Sequence, residues 1–287
     1  MSNRENPMRK HLSTIILVII FFVGLSVLLY PTVADYINSK HQSKAIAEYV
    51  EAMSNFDPNM YAAHFEKARA YNESLLNDPI RFAPNEEKLA AYHNIFGEMN
   101  TPIGYIEIGA IGVDLPLYLG TEESVLQVGV GCMPGSSIPI GGPSTHAVVT
   151  GHRGLPSSRL LTDLDQLVEG DIFVMYVLNE ILTYQIDQIR IVLPEELDEL
   201  AIHEGKDEAT IVTCTPYGIN THRMLVRGHR IDNIIVDTVA ARVTADAIQV
   251  DTLLVTPLVA APMLLVLFII VMGKDNKKKP PKRVKEK

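Results

Sequence analysis

A cysteine closes the apolar, β-branched run Thr210-Ile211-Val212-Thr213-Cys214, and an arginine stands nine positions later, at the head of a second strand-like run, Arg223-Met224-Leu225-Val226-Arg227. The turn Thr215-Pro216-Tyr217-Gly218 lies between them. Two strands joined by such a loop bring a thiol and a guanidinium to one mouth. The thiol is a nucleophile, and the arginine is a permanently charged fork of donors, so the pair suits attack on a carbonyl whose oxygen becomes negative. Cysteine is scarce, with only Cys132 besides Cys214 in 287 residues. Histidine is not scarce, but His152 is set apart by its context, Thr150-Gly151-His152-Arg153-Gly154, where a strand closes into a glycine-flanked turn. That arrangement presents a side chain at a rim and supplies a candidate acid and base. The plain alternatives are an inert buried thiol, a surface ion-pairing arginine and an exposed loop histidine.

The elements that must position these groups are short strands. Residues 105–108, 113–118, 145–150, 172–177, 182–193, 209–214 and 223–231 are rich in Val, Ile and Tyr and are punctuated by Gly, Pro, Asn and Asp. They predict a mainly β domain over 101–235, a closed barrel or a sandwich, with short helices near 122–127 and 160–167. Strand alternation puts Arg223 and Arg227 on one face, with Arg227 deeper along it, and puts His222 on the other. His146 shares a face with His152, and a structural role is expected for it. Residues 31–100 read as helical, with good helix formers at 45–53, 60–76 and 86–96. Pro79 and Pro84 make 77–84 a loop.

Two uncharged apolar runs, 12–30 and 253–272, approach the roughly 20 residues that a bilayer core requires. Arg4, Arg9 and Lys10 precede the first, and a lysine-rich tail follows the second. The positive-inside rule then predicts a cytoplasmic arm (1–11), a cytoplasmic tail (273–287) and an extracellular region between the spans, with 236–252 as a stem. A cleaved signal peptide ending near Thr32-Val33-Ala34 is the alternative for the first span. The chain carries a net charge of −9 although both ends are basic, so the part between the spans is strongly acidic. That excludes nucleic acid as its expected partner, while the basic ends suit anionic membrane lipid. Outside a cell two cysteines permit a disulfide, and they equally permit a free nucleophile at Cys214 with a bystander at Cys132. No loop has metal-ligand spacing, so no metal is expected.

Thr150-Gly151-His152-Arg153-Gly154-Leu155-Pro156, Thr162-Asp163-Leu164-Asp165 and the stretch from Thr213 through Gly218 to Arg223 together resemble the sortases, most closely their class C, pilin-polymerising branch in Gram-positive bacteria. The likeness covers most of 101–235. It implies a closed β-barrel of about eight strands, preceded by a helical segment with a lid loop and flanked by two membrane spans. It also implies a cysteine transpeptidase without a cofactor. Cys214 would attack the Thr–Gly carbonyl of an LPxTG-like sorting signal and form a thioacyl enzyme, which a lysine of the next pilin subunit resolves. His152 would protonate the leaving amine and deprotonate the incoming one, and Arg223 would hold the carbonyl or oxyanion. A housekeeping sortase that attaches proteins to the cell-wall peptide bridge is the nearest alternative, and an inactive sortase-like scaffold for pilus assembly is a further one.

No carboxylate stands at an obvious triad spacing, which favours a Cys-His-Arg set. Free cysteine ionises near pH 8.5 and histidine near 6.5, so without coupling few molecules hold thiolate and imidazolium together. The likeness further implies that Asp78-Pro79-Ile80 forms the lid, with Asp78 paired to Arg223. The aromatic residue usual at the third lid position is missing here. Ile80 or Phe82 would replace it, and a looser lid over a more readily modified thiol is expected. Thr213 and Cys132 are candidate accessory positions. Cys132 stands in Gly129-Val130-Gly131-Cys132-Met133-Pro134-Gly135, where the family usually has histidine. It either faces the cleft and traps Cys214 or fills the core.

Overall fold

The structure is a computed structural model that describes residues 7–55, 57–96 and 101–233. The chain divides into two units, Ala34–Val236 and the combination of Met1–Val33 with Asp237–Lys287. The expected stem, second span and basic tail lie outside the described residues.

Within Ala34–Val236 eight strands close a barrel in the order β1-β2-β3-β4-β7-β8-β6-β5. They are β1 (Gly104–Ile108), β2 (Val113–Leu119), β3 (Val130–Cys132), β4 (Thr145–Thr150), β5 (Ile172–Val177), β6 (Glu180–Val192), β7 (Asp207–Thr215) and β8 (His222–Arg230). Pairing is antiparallel except for β2 with β3 and β4 with β7. Closure leaves no edge strand, and the inner face is filled by side chains such as Ile106, Leu117, Val149, Phe173, Ile211 and Val226. β4 and β7 are covered on their outer faces too, so both are buried along nearly their whole length. In β6 the register shifts between Ile186 and Gln188, so Asp187 is the extra residue of a bulge; its carboxylate accepts from Arg227 Nε at 3.0 Å.

The sequence reading finds seven of these strands. β3 escapes it because three residues, one of them glycine, carry no legible alternation. Of the short helices, α4 (Glu123–Leu126) lies where expected, whereas 160–167 forms only a single 3-10 turn at Leu164–Gln166.

Three helices precede the barrel: α1 (Pro7–Ser54), α2 (Pro58–Leu75) and α3 (Glu86–His93). The segments read separately as a span and a following helix are one continuous α1, with Pro31 inside it. Its N-terminal part, up to Val33, exposes Ile16, Ile20, Phe22, Val23 and Val27, and its most apolar 18-residue window has a mean hydropathy of 2.6. That stretch is long and apolar enough to cross a membrane. Beyond Ala34 the same helix packs on the barrel domain. Asn38 Nδ2 donates to Ser157 O at 2.8 Å, the Arg159 amide donates to Asp35 at 2.7 Å, and the Tyr49 hydroxyl donates to Leu178 O. α2 docks through buried Asn72, whose side chain donates to Ile138 O at 3.0 Å and accepts from Ile138 N at 2.7 Å. α3 contributes Tyr92, buried against Ile95, Ile138 and Ala68, with its hydroxyl donating to Cys132 O at 2.8 Å.

Cys132 is fully buried on the inner face, paired in register with Val149. Burial pushes its thiol up to about 11. Cys214 lies on the opposite, outer face, and both cysteines are free. Of the two roles open to Cys132, core filler is the one the fold provides.

Two outcomes follow from this packing. Asn72→Ala strips both partners from the buried Ile138 peptide groups and should cost about 3 kcal/mol, read as a lower denaturant midpoint. An unchanged midpoint would contradict the docking role. Alkylation of the non-reduced native chain should add one adduct, on Cys214, and a second only in denaturant.

Candidate active site

β7 and β8 form a hairpin whose register sets Cys214 directly opposite Arg223, with Val212 opposite Leu225 and Thr210 opposite Arg227. Directly opposed side chains in an antiparallel pair start about 4.5–5.5 Å apart at Cβ. Alternation sends Ile211 and Thr213 inward and Val212 and Cys214 outward. Cys214 is half-buried at the last turn of the strand before the loop. Arg223 is half-buried as well, and its Nη1 donates to the carbonyls of Asn220 (3.3 Å) and His222 (3.1 Å). Asn220 reaches this position in a left-handed conformation, φ 61°, which asparagine tolerates better than most residues. Among the described residues no carboxylate pairs with Arg223.

His152 arrives from the other side. β4 and β7 run parallel with Thr150 level with Val212, so two further residues on each chain bring His152 to the level of Cys214. Two hydrogen bonds extend this alignment past the end of β4. Gly151 N donates to Val212 O at 3.1 Å, and the buried Thr213 hydroxyl donates to Gly151 O at 2.8 Å. Thr213, an accessory candidate in the sequence, is therefore a tie between the cysteine strand and the histidine turn. The His152 ring is partly exposed, and its Nε2 lies 3.2 Å and 3.4 Å from the two carboxylate oxygens of Glu123, in the first turn of α4.

The rest of the turn explains the motifs around it. Arg153 is almost fully covered; it donates to Thr162 O at 3.0 Å, to Thr215 Oγ1 at 3.2 Å and to Asp165. Gly154 N donates to Thr162 Oγ1 at 3.3 Å. Thr162 and Asp165 thus hold the histidine turn against the end of β7. Gly154 has φ +79°, a left-handed backbone that favours glycine, and a Cβ there would also crowd the Tyr217 ring at 3.2 Å.

The lid loop departs from the expected pattern. Asp78 does not reach Arg223; it ion-pairs with Lys88 of α3 and accepts from Ile80 N. The Lys88 ammonium, nearby in the chain, holds the Asp78 carboxyl below its usual range. Ile80 is 66% exposed and plugs nothing. Phe82 is the apolar contact instead, packed on Val148, Leu200, Val212 and Leu225, the outer-face cluster next to Cys214 and Arg223. Arg81 fastens the loop by donating to Gly135 O at 3.1 Å and to Leu200 O, and its guanidinium lies 4.4 Å from the Phe82 ring centroid. Pro79 lies in the turn between Asp78 and Ile80.

The other candidates have structural partners. His146 is buried, with Nδ1 2.7 Å from Ala201 O and Nε2 2.7 Å from Thr210 Oγ1, and burial lowers its pKa. Arg227 is deeper on the shared face and pairs with Asp187 and Glu208. Among the described residues no group of three or more His, Cys, Asp or Glu is placed to hold a metal ion. Sequence reasoning missed Glu123, which lies 29 positions from His152 on a four-residue helix; only the adjacent acids Glu122 and Glu123 mark it. A thiol, an imidazole bonded to a carboxylate and a guanidinium that no carboxylate neutralises among the described residues can together carry out acyl transfer at a carbonyl.

Residues 106–231 match the Sortase domain. A crystal structure of sortase C1 from Streptococcus agalactiae superposes with a TM-score of 0.64 at 46% identity, over 67% of this chain and 100% of that one. A Clostridium perfringens sortase C, solved with the C-terminal cell wall sorting motif, superposes with a TM-score of 0.60 at 38% identity, over 67% of this chain and 100% of that one. Sortase A of Bacillus anthracis is 24% identical over 220 residues, which is 77% of this chain and 95% of its own length. The chain belongs to the sortase family, and its solved neighbours are class C sortases.

Proposed function

We propose that the chain is a membrane-anchored class C transpeptidase that joins pilin subunits on a Gram-positive surface. The observation that carries this reading is the register of Cys214 opposite Arg223 with His152 tied level with them. The Cys214 thiolate attacks the Thr–Gly carbonyl of an LPxTG-like signal, and Arg223 stabilises the oxyanion that forms. The imidazolium of His152 gives its proton to the departing glycine amine, leaving a thioester and a neutral ring. A lysine amine of the next subunit then attacks the thioester and loses a proton to His152, so an isopeptide bond forms and thiolate and imidazolium are restored. An oxyanion donor of this kind is worth about 10²–10³ in kcat. The apolar stretch of α1 supports anchoring. We propose that both termini are cytoplasmic, that the second apolar run returns the chain through the membrane, and that the basic ends touch anionic lipid.

The likeness to Bacillus anthracis sortase A supports a second reading, in which the acceptor is the amine of a cell-wall peptide bridge. The two readings share the thioester and part at the nucleophile that resolves it.

Incubation with sorting-signal peptides should give a thioacyl adduct on Cys214, seen by mass. Cys214→Ala and His152→Ala should abolish product, and Arg223→Lys should lower kcat by about 100-fold, since lysine lacks the bidentate fork. Pilin ladders that persist with Cys214→Ala would sink the enzymatic reading. Competition between a pilin lysine and a wall-peptide amine for the adduct decides the acceptor.

We also propose that the 77–84 loop restrains access to Cys214 through Arg81 and Phe82. Arg81→Ala and Phe82→Ala should each speed Cys214 alkylation severalfold. Rates equal to those of the unaltered protein would dismiss the restraint.

A further inference from the structure

We infer that Glu123 is a positioning residue that fixes the proton of His152 on Nε2, so that Nδ1 is the nitrogen that gives and takes protons during transfer. An ionised carboxylate only accepts hydrogen bonds, and both of its oxygens lie within 3.4 Å of Nε2. Nε2 must therefore carry its hydrogen in the neutral as well as the charged ring. Gln127, one turn on, donates through its Nε2 to Glu123 Oε1 at 2.5 Å and steadies the carboxylate. These two contacts hold the Glu123 carboxyl below its usual range, so it is ionised wherever the enzyme would work.

The other charged groups around the ring are accounted for. Cys214 comes from β7 and Arg223 from β8, and Arg153 is taken by Asp165, Thr162 and Thr215. Glu122 points elsewhere, 3.3 Å from His93 Nε2. Glu123 is the carboxylate left to act on His152 among the described residues.

The consequence for catalysis rests on the proposed transpeptidase reading. With Nε2–H fixed, the charged ring presents Nδ1–H to the leaving amine, and the neutral ring presents an Nδ1 lone pair to the incoming one. No ring flip or tautomer exchange separates the two half-reactions. A ring free to place its proton on Nδ1 would lose part of its population as a base, the fault that follows when a triad carboxylate is removed.

The test uses the full chain in detergent micelles with 15N-labelled histidine. His152 should show the Nε2–H tautomer when neutral. Glu123→Gln offers an amide N–H as well as an acceptor, so the preference for Nε2–H should weaken. Glu123→Ala should mix the tautomers and lower kcat about tenfold or more with little change in KM. Glu123→Asp, which retains the charge, should recover part of that loss. A merely structural role for Glu123 would move the melting temperature and none of these. An Nδ1–H tautomer in the unaltered protein, or an Nε2–H population unmoved by Glu123→Ala, overturns the inference. The tautomer is read without substrate, so it is decided even if no peptide is cleaved and the transpeptidase reading fails.

Discussion

The pairing of β7 with β8 in a single register is the constraint on which the site depends. Strand side chains alternate with a period of two, so a slip of one residue would turn Cys214 into the core and bring Thr213 to the cleft. The register is held by what lies on the inner face. Ile211 and Val226 are opposed and fully buried, and exchanging them for their neighbours would put Arg223 or Arg227 inside a sealed barrel. The packing of the core thus decides which side of the sheet carries the chemistry, several residues from the chemistry itself.

The second requirement is to bring a histidine from a distant part of the chain. The parallel β4–β7 ladder supplies the alignment, and the Thr213 hydroxyl and Gly151 amide carry it beyond the last ladder bond. Arg153 then spans Thr162, Thr215 and Asp165, so one buried guanidinium joins the histidine turn, the loop after it and the end of the cysteine strand. α1 supports the far side of that loop through Asp35 and Asn38. The helix that carries the apolar N-terminal stretch therefore also braces the frame of the site.

How much of this was legible depends on how local the signal is. The cysteine, the arginine and their facing come from one contiguous stretch whose alternation and turn chemistry are plain, and His152 is marked by its glycine-flanked turn. Seven strands follow from β-branched runs, and the eighth is too short to show a period. The lid pairing differs from the expectation because Asp78 meets Lys88, ten residues on and on a neighbouring helix, a choice that the order Asp-Pro-Ile does not encode. Phe82, rather than Ile80, meets the barrel because Arg81 pins the loop between two carbonyls, and those carbonyls come from residues 54 and 119 positions away. Glu123 was invisible for the same reason. Continuity of α1 through Pro31 was also hidden, since proline reads as a boundary when no neighbouring turn is in view.

The parallel pairing of β4 with β7 has a kinetic meaning. Thr150 and Val212 meet across a long intervening stretch of chain that includes β5 and β6, so loop closure precedes any contact between the histidine and cysteine strands. A chain caught before that closure can set Cys214 beside Arg223 on the β7–β8 hairpin, yet it has no histidine level with them. The histidine thus joins the cysteine and the arginine only through a non-local closure, whereas the hairpin that pairs the other two is local.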